Sequence, residues 1–452
     1  MKRLFIIILG LVIIGVIGYV VFYLISSDPN ISSDAEIFSD TPEKFVVLSD
    51  SQQISEWREE DRTGVSDEKG LMKSWPKEGP QLIWSNVELP KGHSSVSFGN
   101  NSIYLTGLDG QKELLVSLDK YGKVKWQTPY GNCWNQNSES RCTPTVEGNR
   151  VYVSSGNGEV VCIDAESGVI IWSVKASETY NGTFGQWGIA ESLIIDGQKL
   201  YYTPGGSETT TIALEKNTGN LIWKSESIQD GPAYVSPVLV EYEGRKLIIN
   251  ISLRNVFAVD ASDGTILWKI NHLDFIDSKK SIEGWPDAPL IKCVTPLYFN
   301  GKIYITGGYD HGGALLSLKD GGNNVTVDWT DEVLDVHHGG VVLVNGYIYG
   351  SNWLNNGNGN WCCIEWNTGK KMYEEHWKCK GSIISAEGML YIYDERSGYV
   401  GLVRANPEKF DLISSFKVKE GSGSYWAHPV INNGVLFLRH SEALMAYDIK
   451  ER

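Results

Sequence analysis

Much of the usual catalytic vocabulary is missing from this chain. It has no Cys-x-x-Cys-His, no Ser/His/Asp ordering, no phosphate loop and no zinc-type spacing, so covalently attached haem, triad chemistry, nucleotide cradling and a structural zinc module are not signalled. Cysteine is scarce and odd in number, seven in 452 residues, which argues against a full disulfide framework. Cys133 and Cys142 flank one loop and could pair in an oxidising compartment, whereas Cys162 and Cys363 occupy the same strand position in different repeats and read as apolar fillers. Cations are outnumbered: a net charge of −15 argues against a nucleic-acid partner or an anionic membrane surface. Helical periodicity is also lacking, because the apolar residues alternate with a period of two, and this excludes a helical solenoid.

What is abundant is tryptophan (16) and glycine (48). They recur together in a sentence written eight times: apolar alternation, an acidic or polar turn, a glycine, then a tryptophan. The clearest copies run from Val116 through Gly122 to Trp126, from Val161 through Gly168 to Trp172, from Ile212 through Gly219 to Trp223, and from Phe257 through Gly264 to Trp268. Weaker copies end at Trp329, Tyr373 and Phe416, and the last stops at Ala446-Tyr447-Asp448. Each copy reads as a hairpin whose glycine supplies a positive φ, preceded by two more short strands such as Thr143 to Val146 and Arg150 to Ser154. Four antiparallel strands at a fixed repeat make one propeller blade, and a β-sandwich has no reason to repeat Gly-x-x-x-Trp.

Closure is written into the ends. An orphan Gly79-Pro80-Gln81-Leu82-Ile83-Trp84 precedes the first full repeat, and the last repeat lacks its final strand. Joined, they give an all-β, eight-bladed β-propeller of four-stranded antiparallel blades over 79–452, with no open edge. The wide gap between Trp268 and Trp329 predicts a long loop around Asn271 to Asp287.

Ahead of the ring, Met1-Lys2-Arg3 is followed by an apolar run from Leu4 to Ile25, long enough for the ~20 residues that cross a bilayer. The next cation is Lys44, so the positive-inside rule leaves residues 1–25 as a cytoplasmic tip and transmembrane helix and exports the rest. The absence of a small-residue cleavage pattern favours an uncleaved signal anchor over a removed signal peptide. Residues 26–78 then read as a polar tether, partly ordered around Trp57 to Trp75.

In a propeller the segment entering each innermost strand sits at one mouth of the central channel. Those entries carry Arg141, Trp187, Glu191, Tyr234, Lys292, His337, His338, Trp426 and His428. Aromatics, cations, a carboxylate and histidines on one rim make a polar small-molecule pocket; the competing reading is that these groups simply satisfy strand ends. A metal site at His337-His338 is disfavoured on the ground that adjacent residues on a strand diverge, so no metal is expected.

The repeat Ala-x-Asp-x-x-x-Gly-x-x-x-Trp resembles the tryptophan-docking repeat of pyrroloquinoline-quinone (PQQ)-type propellers, a superfamily that contains quinoprotein alcohol dehydrogenases and the outer-membrane assembly factor BamB. The resemblance covers Gly79 to Arg452. Trp57-Arg58, His337-His338-Gly339-Gly340 and Trp426-Ala427-His428-Pro429 look more narrowly like a bacterial group of PQQ-like repeat proteins. It implies a membrane-anchored, exported scaffold that binds an envelope protein or a small polar ligand. The alternative it implies is a dehydrogenase of an alcohol or sugar, dependent on PQQ and Ca²⁺, with Glu191 among the possible acids. There are departures from both. The first cysteine is Cys133, so the lipobox of BamB is missing, and Cys362-Cys363 lies in a strand slot where a vicinal disulfide of the quinoprotein kind would strain the backbone.

Overall fold

The computed structural model describes residues 45–48, 54–274 and 291–452. The apolar run of 4–25, residues 26–44 and 49–53 of the tether, and residues 275–290 of the long loop lie outside the described residues. Among the described residues no helix is long and apolar enough to cross a membrane.

The strands form eight blades of four antiparallel strands, one of them extended by a short parallel fifth, and the order of the blades in the chain is their order around the ring. Blade 1 comprises Ser97–Gly99, Ser102–Asp109, Lys112–Leu118 and Val124–Asn132, and blade 4 comprises Val238–Tyr242, Arg245–Ile251, Asn255–Asp260 and Ile266–Asn271. Blade 8 is composite. Val430–Asn432, Val435–His440 and Ala443–Asp448 come from the end of the chain, and Gln81–Asn86 adds the outermost strand. Trp84 pairs with Ala446 and Leu82 with Tyr447, so the ring is clasped as its ends predict.

Each blade is covered by a neighbour on both faces, and this changes the strand pattern. The second and third strands, such as Arg245–Ile251 and Asn255–Asp260, are buried almost throughout and read as continuous apolar runs. Outer strands alternate: in Ile170–Val174 Trp172 is buried while its neighbours face water. Among the described residues, eight apolar clusters fill the seams, one between each pair of successive blades, and a ninth gathers Ile291, Tyr309 and Trp353.

The repeating glycine serves those seams. A Cβ added to Gly122, Gly168, Gly219, Gly264 or Gly369 would come within 2.7 Å of the tryptophan ring of the preceding blade, namely Trp84, Trp126, Trp172, Trp223 or Trp329. The ring lies flat on the bare turn, and Trp172 and Trp84 also donate their indole N–H to backbone carbonyls of that turn, at Lys216 (2.9 Å) and Lys120 (3.1 Å). Positive φ alone does not explain the glycine; it also vacates the space the tryptophan fills.

Residues 54–78 do not trail away from the ring. Ser55 bridges Val146 on the inner strand of blade 2, and Val65–Ser66 adds in parallel to Gly381–Ala386, the inner strand of blade 7. Between these anchors the chain crosses the channel with left-handed backbone at Arg58, Glu59, Asp61, Arg62 and Gly64. Both arginines are buried. Arg62 donates to the carbonyls of Leu193 and Pro237, each at 2.8 Å, and Arg58 to those of Val341 (2.6 Å) and Ile383 (3.2 Å). A plug of the chain's own making therefore stops the channel.

Candidate functional site

Above the plug the channel mouth is a blind basin of about 800 Å³, within the range of small-ligand pockets. Trp57, carried by the plug, lines it and meets the His428 ring edge-on at 5.2 Å. An arc of rings runs along one wall: His93 to Trp426 (4.9 Å), Trp426 to His338 (5.4 Å), His338 to His337 (4.4 Å) and His337 to Tyr309 (4.9 Å). Elsewhere on the wall Trp187 and Tyr234 pack edge-to-face at 5.4 Å.

Of the nine residues expected at this rim, Arg141, Trp187, Tyr234, His337, His338, Trp426 and His428 line the basin. Glu191 and Lys292 do not. Glu191 is buried behind the wall, its Oε1 has no partner, and burial raises its carboxyl to about 8. Lys292 is equally buried with an unpartnered Nζ, and burial lowers it to about 7 against the pull of Asp335. Both lie one residue or more from the segment that reaches the mouth: Ala190, Ser192 and Cys293 are the lining positions beside them.

Besides the entry segments, the loops between second and third strands open on the same mouth. These supply Tyr309, Asn356, Glu395 and Arg396. Counting strands in each repeat would have located them, since both kinds of loop leave a four-stranded blade on one side. Trp57 was visible only as a motif, with no cue that the tether folds inward.

The histidine pair corrects a second expectation. His337 and His338 do not lie on a strand; Val341–Val344 begins three residues later, and the two sit in a bend where their rings approach to 4.4 Å. The Gly339-Gly340 that follows makes the bend possible. A Cβ on Gly339 would overlap the Gly381 carbonyl oxygen at 1.8 Å, and one on Gly340 would strike the Arg58 guanidinium at 2.3 Å. The same four residues thus set the histidines in the basin and receive the plug's arginine.

Polar groups around the basin are mostly matched to one another. Arg58 donates to Nδ1 of His428 at 2.8 Å, which leaves Nε2–H of His428 to donate to the His338 carbonyl at 3.0 Å. Burial, then Arg58, lowers His428 to about 3, so it stays neutral. Burial likewise lowers His337 to about 3 and His338 well below its ordinary value. The 3.2 Å approach of His338 Nε2 to Glu395 Oε2 is therefore a contact of a neutral imidazole, and the charge partner of Glu395 is the buried Lys380. Arg141 is held by Glu139 and by the Trp187 carbonyl.

The sequence profile of a family described as outer membrane protein assembly factor BamB matches residues 111–375, more than half of the chain. The chain belongs to that family. Among BamB proteins, that of Moranella endobia (strain PCIT) is 24% identical over 271 residues, covering 59% of this chain and 65% of its own length. The chain thus spans just under two thirds of that relative. A polyvinylalcohol dehydrogenase of Pseudomonas sp is 26% identical over 166 residues, 32% of this chain and 24% of that enzyme. Among solved structures, BamB from Moraxella catarrhalis superposes with a TM-score of 0.57 at 14% identity, over 82% of this chain and 99% of that one. A europium-containing methanol dehydrogenase gives 0.51 at 11%, over 84% and 87%. These structural likenesses show a common fold.

The resemblance to quinoprotein dehydrogenases raises PQQ with Ca²⁺, and the basin does not fit the calcium ion of that pair. Calcium takes six to eight oxygen ligands. Of the described residues, only two carboxylates line this mouth, far short of such an oxygen set, and Arg141 holds Glu139 while Lys380 holds one oxygen of Glu395. Among the described residues the one group of three that could converge on a metal is His337, His338 and Glu395, which is rich in nitrogen. Glu191, the expected acid, is sealed off. Cys362 and Cys363 are free thiols inside the strand Trp361–Glu365, and Cys133 and Cys142 are likewise unpaired.

Proposed function

We propose that this chain is a non-catalytic BamB-type propeller of the cell envelope, which holds a partner protein's extended segment or a small polar ligand in the plugged basin. One observation carries the reading: the chain closes its own channel with residues 54–66, leaving a blind pocket whose wall is an arc of ring faces and whose two carboxylates, Glu139 and Glu395, are each held by a cation. Ring faces and fixed carbonyls bind; a catalytic set would leave an acid, a base or a nucleophile poised for a substrate. The names of the BamB relatives, and the apolar run of residues 4–25, support an exported, membrane-tethered setting.

The test is twofold. A photo-crosslinking residue placed at Trp187 in cells should capture an envelope protein, with capture lost when Trp426 is changed to Ala. Addition of PQQ and Ca²⁺ to the purified chain should give no saturable binding and no dye reduction with alcohols or sugars. Quinone-dependent dye reduction would overturn the proposal in favour of the dehydrogenase.

A further inference from the structure

We propose that His337, His338 and Glu395 form a site for one divalent transition-metal ion of the zinc class, with an open coordination position facing the basin.

Their ligand atoms lie within 4.8 Å of one another. One edge is already close to size: His338 Nε2 and Glu395 Oε2 stand 3.2 Å apart, and two ligands of a tetrahedral ion with bonds of 2.0–2.1 Å are separated by about 3.4 Å. The third ligand, from His337, starts within 4.8 Å of the other two and closes by a side-chain movement.

The surroundings match what a metal requires of its ligands. A metal-bound imidazole uses its second nitrogen to donate a hydrogen bond that fixes ring and tautomer. His337 has that arrangement, with Nε2 2.8 Å from the Tyr309 hydroxyl, while Nδ1 is buried with no hydrogen-bond partner. An orphaned imidazole nitrogen costs stability unless something binds it. Glu395 is oriented from behind by Lys380, which bonds its other oxygen and the Asn356 carbonyl, so Oε2 is the atom left for the ion. His428 is excluded as a fourth ligand because Arg58 and the His338 carbonyl occupy both its nitrogens.

Two nitrogens and one carboxylate oxygen favour zinc, copper or nickel over calcium and magnesium. Three protein ligands leave a position for water or for a donor atom of whatever enters the basin. The ammonium of Lys380 lowers the net negative charge of the site, so affinity falls below that of a closed four-ligand zinc site.

The full chain, stripped with chelator, is titrated with Zn²⁺ by calorimetry and with Co²⁺ by visible absorption. One ion per chain is expected, with the intense d–d bands of a four- or five-coordinate Co²⁺ centre. His337→Asn and Glu395→Gln should each weaken binding at least about tenfold, and the exposed His376→Ala should leave it unchanged. Thermal unfolding of each metal-free variant checks that it folds, and the Co²⁺ spectrum of the unaltered chain stands independently of any variant. No saturable one-to-one binding, a weak six-coordinate Co²⁺ spectrum, or undiminished affinity in folded His337→Asn overturns the site.

Discussion

Glu191 shows at the scale of one residue how burial separates a candidate ligand from a structural acid. Its carboxyl is sealed behind the basin wall with Oε1 unpartnered, and burial raises it to about 8. The sign of its effect on folding follows. Between the ordinary carboxylate value of about 4.5 and about 8 the native state binds the proton that the unfolded state has released, so stability falls as pH rises through that interval. Glu191→Gln removes the titration while keeping shape and an acceptor. The variant should match the parent near pH 5 and exceed it by a few kcal/mol near pH 8, read from urea midpoints at the two pH values. His428 acts oppositely. Lowered to about 3 from 6.5, it favours the folded state above 6.5, and that contribution is lost as pH falls from 6.5 towards 3. Position in an entry segment pointed Glu191 and Lys292 at the rim, and the structure buries both behind the wall. Sequence gives the residue before a strand but not which way its side chain turns.

At the scale of the element, the unit is the tryptophan of one blade laid on the glycine turn of the next. Gly219 carries two constraints, a φ of +74° and the Trp172 ring 2.7 Å from where a Cβ would stand. Gly244 carries the first without the second, with φ +79° and nothing within 4 Å. Gly244→Ala should therefore cost about 1 kcal/mol of backbone strain, and Gly219→Ala about 2–4 kcal/mol because overpacking is added. Chemical denaturation measures both, and equal costs would show that the ring does not depend on the bare turn. This element was legible from the sequence because its parts lie four residues apart and recur. Trp268 marks the limit. The next blade has Asp320–Gly322 in place of the usual turn, its glycine is seven residues from Trp329, and a Cβ on Gly322 would meet Leu247 in place of a tryptophan ring. The His337-His338 pair was misread for a related reason. Alternation fixes the face of a residue only on a strand, and these two precede one.

At the scale of the molecule, the eight-bladed ring and its clasp were legible because closure needs only the count of strands at each end. The plug was not, since its contacts join residues far apart in the chain and leave no periodic trace. Its hold depends on Arg58, which supplies three buried acceptors: the Val341 and Ile383 carbonyls and Nδ1 of His428. Removing the guanidinium strands all three, at roughly 1–3 kcal/mol for each unsatisfied group, offset by the desolvation cost of a cation that burial holds near 10. The seams between blades do not involve Arg58, and the clasp between Trp84 and Ala446 is untouched by it. Arg58→Met should therefore release the plug without opening the ring. Amide exchange should accelerate over residues 54–66 and at Ser385, whose N–H is bonded to the Gly64 carbonyl. Exchange in the paired strands Ala443–Asp448 and Gln81–Asn86 should stay as slow as in the parent. With the plug released, Trp57 leaves the basin and its approach to His428 is lost, so the tryptophan fluorescence of the variant should shift to the red. Acceleration spread evenly over all blades would instead mean that plug and ring fold as one cooperative unit, and that the channel is never open in the folded protein.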